Sequence, residues 1–359
     1  MAEEKKPSLL AISVAPHFKS RDSIKLIMWM VVISLMPSTV YSVYIFGIKA
    51  LILIAVAIVS AVISEALFQL AMKKAVTALD GSAVITGLLV AMNVPPEAPF
   101  WIVIVGSVFA VIIVKQLFGG LGFNIFNPAL AARAFLMASW PVHMTTRWFK
   151  FSDGNVLSQG VKNITSVSDT AFSAITQATP LGLLKEGPKI IEEYGIGIDK
   201  IHDLLFSTKM LKSLFIGNVG GVIGETSALL LLIGGIFLLI RKIITWHIPV
   251  SFIGTVAVLM FLYYFVTGQP QPHVFTLFHL LSGGLFLGAF FMATDMVTSP
   301  VTNKGMILFG FGCGLITFVI RIWGGYPEGV SYSILLMNAF VPLIDRFIKP
   351  KVFGVRKNK

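Results

Sequence analysis

About ten apolar runs, most of them near the length of a membrane span, dominate this chain. A helix needs about 20 apolar residues to cross a hydrocarbon core of about 30 Å. Backbone groups inside lipid must bond within their own segment. The runs therefore predict an all-α polytopic membrane protein with about ten transmembrane helices. They cover residues 24–46, 50–70, 82–92, 100–117, 127–140, 226–240, 248–265, 275–292, 305–320 and 330–347. The third run is short for a full crossing, so we expect a broken or re-entrant helix that protein shields from lipid.

The composition agrees with this class. Hydrophobic residues make up 56% of the chain and charged residues 13%, whereas a soluble domain carries about a quarter charged residues. The formal net charge is +11. We assign this charge to basic helix ends that face the cytoplasm, and we expect a lipid bilayer and no nucleic acid as the partner.

The distribution of basic residues predicts the orientation. With the N terminus inside, the cytoplasmic segments hold Lys19, Arg21, Lys25, Lys73, Lys74, Arg241, Lys242, Lys304, Arg346, Lys349, Lys351, Arg356, Lys357 and Lys359. The short loops on the opposite side hold only Lys49 and Arg321. This contrast predicts a multi-pass protein with both termini in the cytoplasm.

The longest non-membrane region follows an odd number of predicted helices and therefore lies outside the cytoplasm. We divide the chain into a cytoplasmic N-terminal segment, a first five-helix repeat, an extracytoplasmic loop, a second five-helix repeat and a cytoplasmic basic tail. These regions are 1–23, 24–140, 141–224, 225–347 and 348–359.

Five helices, an outer loop and five further helices imply two inverted five-helix repeats. Residues 82–89 and 282–289 are similar, and a proline-containing turn follows each of them. Inverted repeats place a binding site near the middle of the membrane. This architecture alone also suits a passive transporter or channel for a small polar solute.

One short motif in the outer loop ends in a threonine that could carry a group. The sequence reads Thr176-Gln177-Ala178-Thr179-Pro180. A preceding helix that ends before Pro180 would leave the Thr179 hydroxyl exposed to a modifying enzyme. The alternative is an ordinary surface threonine before a proline turn.

A second motif is glycine-rich and leads into an apolar helix. It includes Gly221, Gly224 and Glu225. Free backbone N–H groups at such a helix start can hold a phosphate. Small residues also allow close helix packing, and a carboxylate in the first helical turn favours the helix dipole. Both interpretations of the glycines stay open.

Several ionisable residues lie within apolar runs, where such groups are costly and are functional candidates. Arg133 needs a partner, which could be a bound phosphate or a carboxylate such as Glu65 or Glu225. Asp295 is a candidate for coordinating Na⁺ or transferring H⁺, with a helix cap or a buried ion pair as the alternative.

The order and spacing of these segments resemble the family of the D subunit of the Rnf complex and the B subunit of the sodium-pumping NADH:quinone reductase. The resemblance runs from about Arg21 to Phe347 and includes residues 80–96, 118–129 and 323–329. The short N terminus favours the Rnf member. The chain departs from the family motif at Gln177, which replaces a glycine, and at Ser173, which replaces an aspartate.

The resemblance implies a membrane flavoprotein, redox-active as one subunit of a ferredoxin:NAD⁺ oxidoreductase and not catalytic alone. FMN would be esterified to Thr179, with Thr176, Gln177, Ala178, Gly221, Gly224 and Arg133 as further cofactor-binding residues. A non-covalent riboflavin is also implied, as is coupling to Na⁺ or H⁺ movement, for which Asp295 is the candidate.

The partners implied are Rnf subunits A, B, C, E and G, above all the G subunit with its own covalent FMN. The location implied is the prokaryotic cell (inner) membrane. Besides the transporter, a structural scaffold for other redox subunits remains an alternative.

Overall fold

The fold consists of helices joined by turns. The computed structural model describes residues 23–145, 179–185, 202 and 204–350, and no strand occurs among them. The first half comprises α1 (Ile24–Phe46), α2 (Ile48–Ala71), α3 (Ser82–Met92), α4 (Phe100–Val108), α5 (Pro128–Ser139) and α6 (Pro141–Thr145). The second half comprises α7 (Thr208–Ile216), α8 (Ala228–Ile240), α9 (His247–Val266), α10 (Pro272–Leu281), α11 (Leu285–Leu287), α12 (Asn303–Trp323) and α13 (Val330–Phe347).

The prediction of an all-helical polytopic membrane protein is confirmed. In the part of the chain that the structure describes, five helices are long and apolar enough to cross a membrane. They are α1, α2, α9, α12 and α13. If the bent pair Pro272–Leu281 and Leu285–Met292 forms one span, these helices make up to six spans. Shorter apolar helices are Ser82–Met92, Phe100–Gln116, Pro128–Ser139 and Ala228–Ile240.

The short length expected for the third helix is confirmed. A break in the predicted eighth helix was not expected. The predicted continuous helix 275–292 is wrong, because α10 and α11 are bent by 60° at the intervening turn. Gly283 and Gly284 have φ angles of +72° and +63° there. Glycine adopts this left-handed backbone without steric cost, so these two residues allow the chain to turn sharply inside the bundle.

Two helices continue as π-helix. α4 is extended by Phe109–Gln116, and α11 by Gly288–Met292. Such stretches are rare and often accompany functional sites. Here one of them carries buried Lys115 and Gln116.

Small residues bring helices of each half together. α2 packs on α3 and α4, and α9 packs on α10 and α12. A Cβ atom at Gly87 of α3 would stand 2.7 Å from the Ala57 carbonyl oxygen of α2. One at Gly314 of α12 would stand 2.9 Å from the Phe252 carbonyl oxygen of α9. Close contact through small residues is the usual means of helix association in lipid.

The turn at Gly283 yields a testable prediction. A methyl group there would meet Leu181 Cδ1 and would stand 2.8 Å from Arg321 Nη2, on a backbone that disfavours side chains. We expect Gly283→Ala to lower the free energy of unfolding by about 2–4 kcal/mol in detergent. Gly254→Ala in α9 is the matched control, since nothing lies within 4 Å of its Cβ position. Equal denaturation midpoints for the two variants would contradict this account of the turn.

Candidate functional site

Thr179 lies at the start of a helical segment. Residues 180–185 are helical, and the Gly182 N–H donates to Thr179 Oγ1 at 3.0 Å. The side chain of Thr179 therefore caps the segment, and Pro180 occupies the first helical position, which suits proline. Thr179 is 6% exposed. The expectation that Thr179 is exposed is wrong, while the helix expected to end at Ala178 lies outside the described residues.

The segment is held on the bundle by an apolar contact and by a lysine. Leu181 and Leu183 belong to a small core with Leu205, Met210, Leu214, Val219 and Phe278. Lys185 Nζ donates to the carbonyl oxygens of Ile320 (2.9 Å), Tyr326 (2.7 Å) and Gly324. Burial, and then the nearby charge of Arg321, lower the pKa of Lys185. The lysine thus ties residues 179–185, which we call the Thr179 segment, to the C-terminal end of α12.

A small cavity of about 10 Å³ lies beside Thr179, and we call it the Thr179 cavity. It is lined by Thr179, Pro180, Leu181, Leu214, Val219, Gly220, Glu225, Leu281, Ser282, Gly283 and Glu328. A neighbouring cavity shares Glu225, Gly283 and Glu328 with it and reaches Asn93 and Arg133. Polar groups therefore continue from Thr179 into the bundle.

Arg133 is paired with a carboxylate that the sequence did not indicate. Its Nη2 donates to Glu328 Oε2 in a salt bridge with both side chains largely buried. Its Nη1 donates to Asn93 Oδ1 at 2.9 Å. Of the partners considered, Glu65 is not in contact with Arg133, and Glu225 interacts with it only through charge. The pair joins α5 to the turn before α13.

Arg321 is buried in the last turn of α12, and the expectation that it lies in a short outer loop is wrong. Its guanidinium donates to main-chain oxygens of the α10–α11 turn and of the turn before α13. Nε donates to the Glu328 carbonyl at 2.9 Å, and Nη2 donates to the Ser282 carbonyl at 3.0 Å. Nη1 donates to the His279 carbonyl. Arg321 thereby satisfies carbonyls that the break in the helix leaves free.

The two glycines proposed to hold a cofactor both have a packing role. A Cβ atom at Gly224 would stand 2.7 Å from the Met92 carbonyl oxygen. One at Gly221 would stand 2.9 Å from Glu225 Oε2. Glu225 itself ends the short 3-10 turn Ile223–Glu225 ahead of α8, and Ser227 caps that helix. The helix-dipole role expected for Glu225 in the first turn is therefore wrong, and cofactor binding by the glycines stays a prediction.

A second buried cluster was missed. The Lys115 cluster consists of Glu65, Gln69, Ser82, Lys115 and Gln116. Lys115 Nζ donates to both carboxylate oxygens of Glu65, at 3.0 and 2.9 Å, and to Ser82 Oγ at 2.7 Å. Gln116 and Gln69 also donate to Glu65 Oε1. The rule that buried intramembrane charges are paired applies to lysine as well, so a lysine in an apolar run was the available signal.

Asp295 lies beside the Lys115 cluster. Thr298 Oγ1 donates to its Oδ2 at 3.2 Å, and the Val297 N–H donates to its Oδ1 at 3.3 Å. Burial raises the pKa of Asp295, while the hydrogen bonds from Val297, Thr298 and Asn124 and the charge of Lys115 oppose that rise. Asp295, Lys115 and Asn124 line a cavity of about 120 Å³, which we call the Asp295 cavity.

Amide side chains connect the two regions. Asn127 caps α5 and donates from Nδ2 to the Met292 carbonyl at 3.1 Å. Asn93, at the end of α3, donates from Nδ2 to the Leu89 carbonyl at 2.7 Å and accepts from Arg133. Asn127 lines the Asp295 cavity, and Asn93 lines the cavity that neighbours the Thr179 cavity.

Three of the predicted cofactor-binding residues, Thr176, Gln177 and Ala178, lie outside the described residues. The same holds for most of the predicted loop 141–224 and for nearly all of the two terminal segments. The domain boundaries drawn from the sequence stay predictions.

Comparison with known proteins decides the family. Residues 11–354 match the sequence model of the NQR2, RnfD, RnfE family. The chain belongs to this family. It is 48% identical to the D subunit of the Na⁺-translocating ferredoxin:NAD⁺ oxidoreductase complex of Acetobacterium woodii, over 98% of this chain and 97% of that protein. It is 46% identical to the D subunit of the proton-translocating ferredoxin:NAD⁺ oxidoreductase complex of Clostridium ljungdahlii, over 99% of this chain and 100% of that protein.

A third member of the NQR2, RnfD, RnfE family is named only as the D subunit of an ion-translocating oxidoreductase complex. This protein of Stutzerimonas stutzeri is 42% identical over 93% of each chain. Together with the apolar helices, membership of the family makes this a multi-pass membrane protein.

The buried Glu65–Lys115 pair yields a second prediction. Glu65→Gln leaves the Lys115 ammonium without a counter-charge in a site where both side chains are at most 2% exposed. We expect a loss of about 3–5 kcal/mol in the free energy of unfolding. The matched control is Glu97→Gln, which breaks the Lys49–Glu97 pair, where Glu97 is 39% exposed. That loss should be about 0–1 kcal/mol. Similar losses for both variants, measured by unfolding in detergent, would contradict the buried pairing.

Docking of the Thr179 segment yields a third prediction. Lys185→Met removes the donor that holds this segment to three carbonyls of the α12 end. We expect amide hydrogen exchange in residues 179–185 to become about tenfold faster, since the lost hydrogen bonds stabilise the docked state. Lys209→Met on the exposed side of α7 is the control. An unchanged exchange rate in the Lys185 variant would show that apolar contacts alone hold the segment.

Proposed function

We propose that this chain is a membrane flavoprotein subunit of an ion-translocating ferredoxin:NAD⁺ oxidoreductase complex. The single observation that carries this proposal is the match, along almost the whole of both chains, to relatives that are D subunits of such complexes. The subunit passes electrons and is not catalytic alone. Its partners are the other subunits of the Rnf complex, A, B, C, E and G, and its location is the prokaryotic cell (inner) membrane with both termini in the cytoplasm.

FMN is carried at Thr179 through a phosphoester bond. Thr179 lines a cavity together with Glu225 and Glu328. Arg321 donates to the carbonyls of Ser282 and Gly283, which line the same cavity, and Lys185 lies in the helical segment that Thr179 caps. Positive charge and a hydroxyl suit a phosphate ester. The cavity has room for about one water molecule, so the flavin ring extends beyond it. When bound, FMN supplies the redox chemistry, and the chain determines its position and electrostatic surroundings.

Attachment of the flavin precedes docking of the segment. Thr179 is buried, and its Oγ1 accepts the hydrogen bond that starts the helical segment 180–185. A transferase cannot reach an oxygen in this state. The enzyme therefore acts on an open form, after which Leu181, Leu183 and Lys185 hold the segment against the bundle.

A second, non-covalent flavin, riboflavin, occupies the Asp295 cavity on the cytoplasmic side. This cavity has an apolar lining with a few polar side chains, among them Ser82, Lys115, Asn124 and Asn127. Such a lining is typical of cofactor pockets, where a few polar groups orient a flat ring. Electrons pass between this flavin, the FMN on Thr179 and the FMN of the neighbouring G subunit.

Asp295 takes part in binding the translocated ion, Na⁺ or H⁺. Its carboxyl group is buried beside the hydroxyl of Thr298 and the amide of Asn124. Oxygen ligands of this kind suit a hard cation. The raised pKa of Asp295 also means that protons compete with a metal cation at a higher pH than at an ordinary aspartate.

The helices form two inverted five-helix repeats with about ten transmembrane segments. The contacts of α2 with α3 and α4 correspond to those of α9 with α10 and α12, which supports this arrangement. The breaks after α3 and between α10 and α11 then meet near the membrane centre, where unwound backbone is tolerated because protein covers it.

In-gel flavin fluorescence after denaturing electrophoresis tests the proposal. Wild type, Thr179→Val, Thr179→Ser and Thr267→Val are produced in cells that supply the flavin transferase. We expect a fluorescent band in wild type and its complete loss in Thr179→Val. Thr267→Val should keep the band, because Thr267 is an exposed residue at the end of α9. A dark wild-type band, with the transferase active on another substrate, would favour a passive transporter or channel instead.

A further inference from the structure

The carboxyl group of Glu225 lies in a notch between two glycines. A Cβ atom at Gly221 would stand 2.9 Å from its Oε2, and one at Gly284 would stand 3.1 Å from its Oε1. Oε1 is buried and has no hydrogen-bond partner among the described residues. A buried carboxylate without donors is costly, so an ionised Glu225 is poorly accommodated here.

The neighbouring cations do not supply the missing donors. Arg133 directs its hydrogen bonds to Asn93 and Glu328. Arg321 directs all three guanidinium nitrogens to main-chain carbonyls. Both arginines therefore act on Glu225 through charge alone. Among the described residues, the other charged group that acts on Glu225 is Glu328, and Lys185 acts on Arg321.

Glu225 and Glu328 line the same two small cavities, so their carboxyl groups act on each other inside the bundle. Two ionised carboxylates in so small a buried space repel each other, whereas a proton bound by one of them removes the repulsion and allows a hydrogen bond between them. Glu328 is already engaged in the direct salt bridge to Arg133, whereas Oε1 of Glu225 has no hydrogen-bond partner among the described residues. The proton therefore belongs on Glu225.

We propose that Glu225 and Glu328 form a proton-binding site that takes up one proton when an electron arrives at the group on Thr179. The coupling to the electron rests on the proposed function, whereas the proton site itself does not. Both carboxyl groups line the Thr179 cavity together with Thr179.

The charges balance in this step. With the proton bound, the two arginines and the Glu328 carboxylate leave one positive charge in the cluster, and Glu225 is neutral. Without the proton, Glu225 carries a negative charge and the four side chains sum to zero. One electron on the flavin ring beyond the cavity and one proton from water add opposite charges, so the summed charge of the flavin and the four side chains is unchanged. Proton uptake thus lowers the electrostatic cost of adding an electron beside a buried cluster.

Infrared spectroscopy of the flavin-free Thr179→Val protein tests the proton site independently of FMN. We expect a carbonyl stretching band of a protonated carboxyl group that disappears as the pH is raised. Adding Glu225→Gln should remove this band, and adding Glu97→Gln should leave it, since Glu97 pairs with Lys49 at a solvent-exposed position. Should the glutamine variant fail to fold, Glu225→Asp, which keeps a shorter carboxyl group, should shift the pH at which the band disappears. A band that none of the Glu225 variants alters would overturn the proton site.

The pH dependence of the flavin midpoint potential tests the coupling in the assembled complex that carries covalent FMN. The flavin midpoint potential of the wild type should fall as the pH rises. Proton uptake by Glu225 and Glu328 should contribute up to about 59 mV per pH unit to this fall. Glu225→Gln should flatten this dependence and Glu97→Gln should not, while the protonation of the flavin itself contributes equally to both. If the flavin is present and its midpoint potential changes with pH equally in wild type and Glu225→Gln, the coupling between electron and proton would be overturned. A flavin-free wild type would overturn the proposed function and leave the infrared result to decide the proton site.

Discussion

The exclusion of water from the helix bundle is the constraint on which this structure depends. Charged side chains inside such a bundle must find partners within the protein. Arg133 finds Glu328 and Asn93, Lys115 finds Glu65, and Arg321 finds the free carbonyls of a broken helix. Each arrangement joins segments that are far apart in the chain. The same contacts that satisfy charge therefore also fix the relative positions of α5, α12, α13 and the α10–α11 turn.

The contacts that stabilise the bundle also surround the proposed cofactor-binding residue. Breaks in helices expose backbone groups, and the charged residues gather where those groups need partners. The Thr179 segment packs against one such break, through Leu181 at the Gly283 turn and through Lys185 at the end of α12. A group esterified to Thr179 would thus lie next to the arginines and glutamates that bind the two halves together. Its charge could then influence the packing of the halves, which is what coupling between redox state and ion access requires.

The sequence predicted the all-helical membrane class, the short third helix and the family, because apolar run length and motif order are local properties. It did not predict the partner of Arg133, since Glu328 is 195 residues away and no local pattern links the two. The break at Gly283 was missed because hydropathy stays high across it. Thr179 was expected to be exposed before a proline that ends a helix. Pro180 begins the helical segment 180–185, and Thr179 is buried because Leu181, Leu183 and Lys185 hold that segment on the bundle.

The central claim is that Thr179 carries FMN in the working complex. Mass spectrometry of proteolytic peptides from the complex, purified from its native membranes, measures this most directly. The account predicts that the peptide containing Thr179 is heavier by one esterified FMN and that fragmentation locates the added mass on Thr179. A peptide of unmodified mass, from a complex that is active in electron transfer, would contradict the claim.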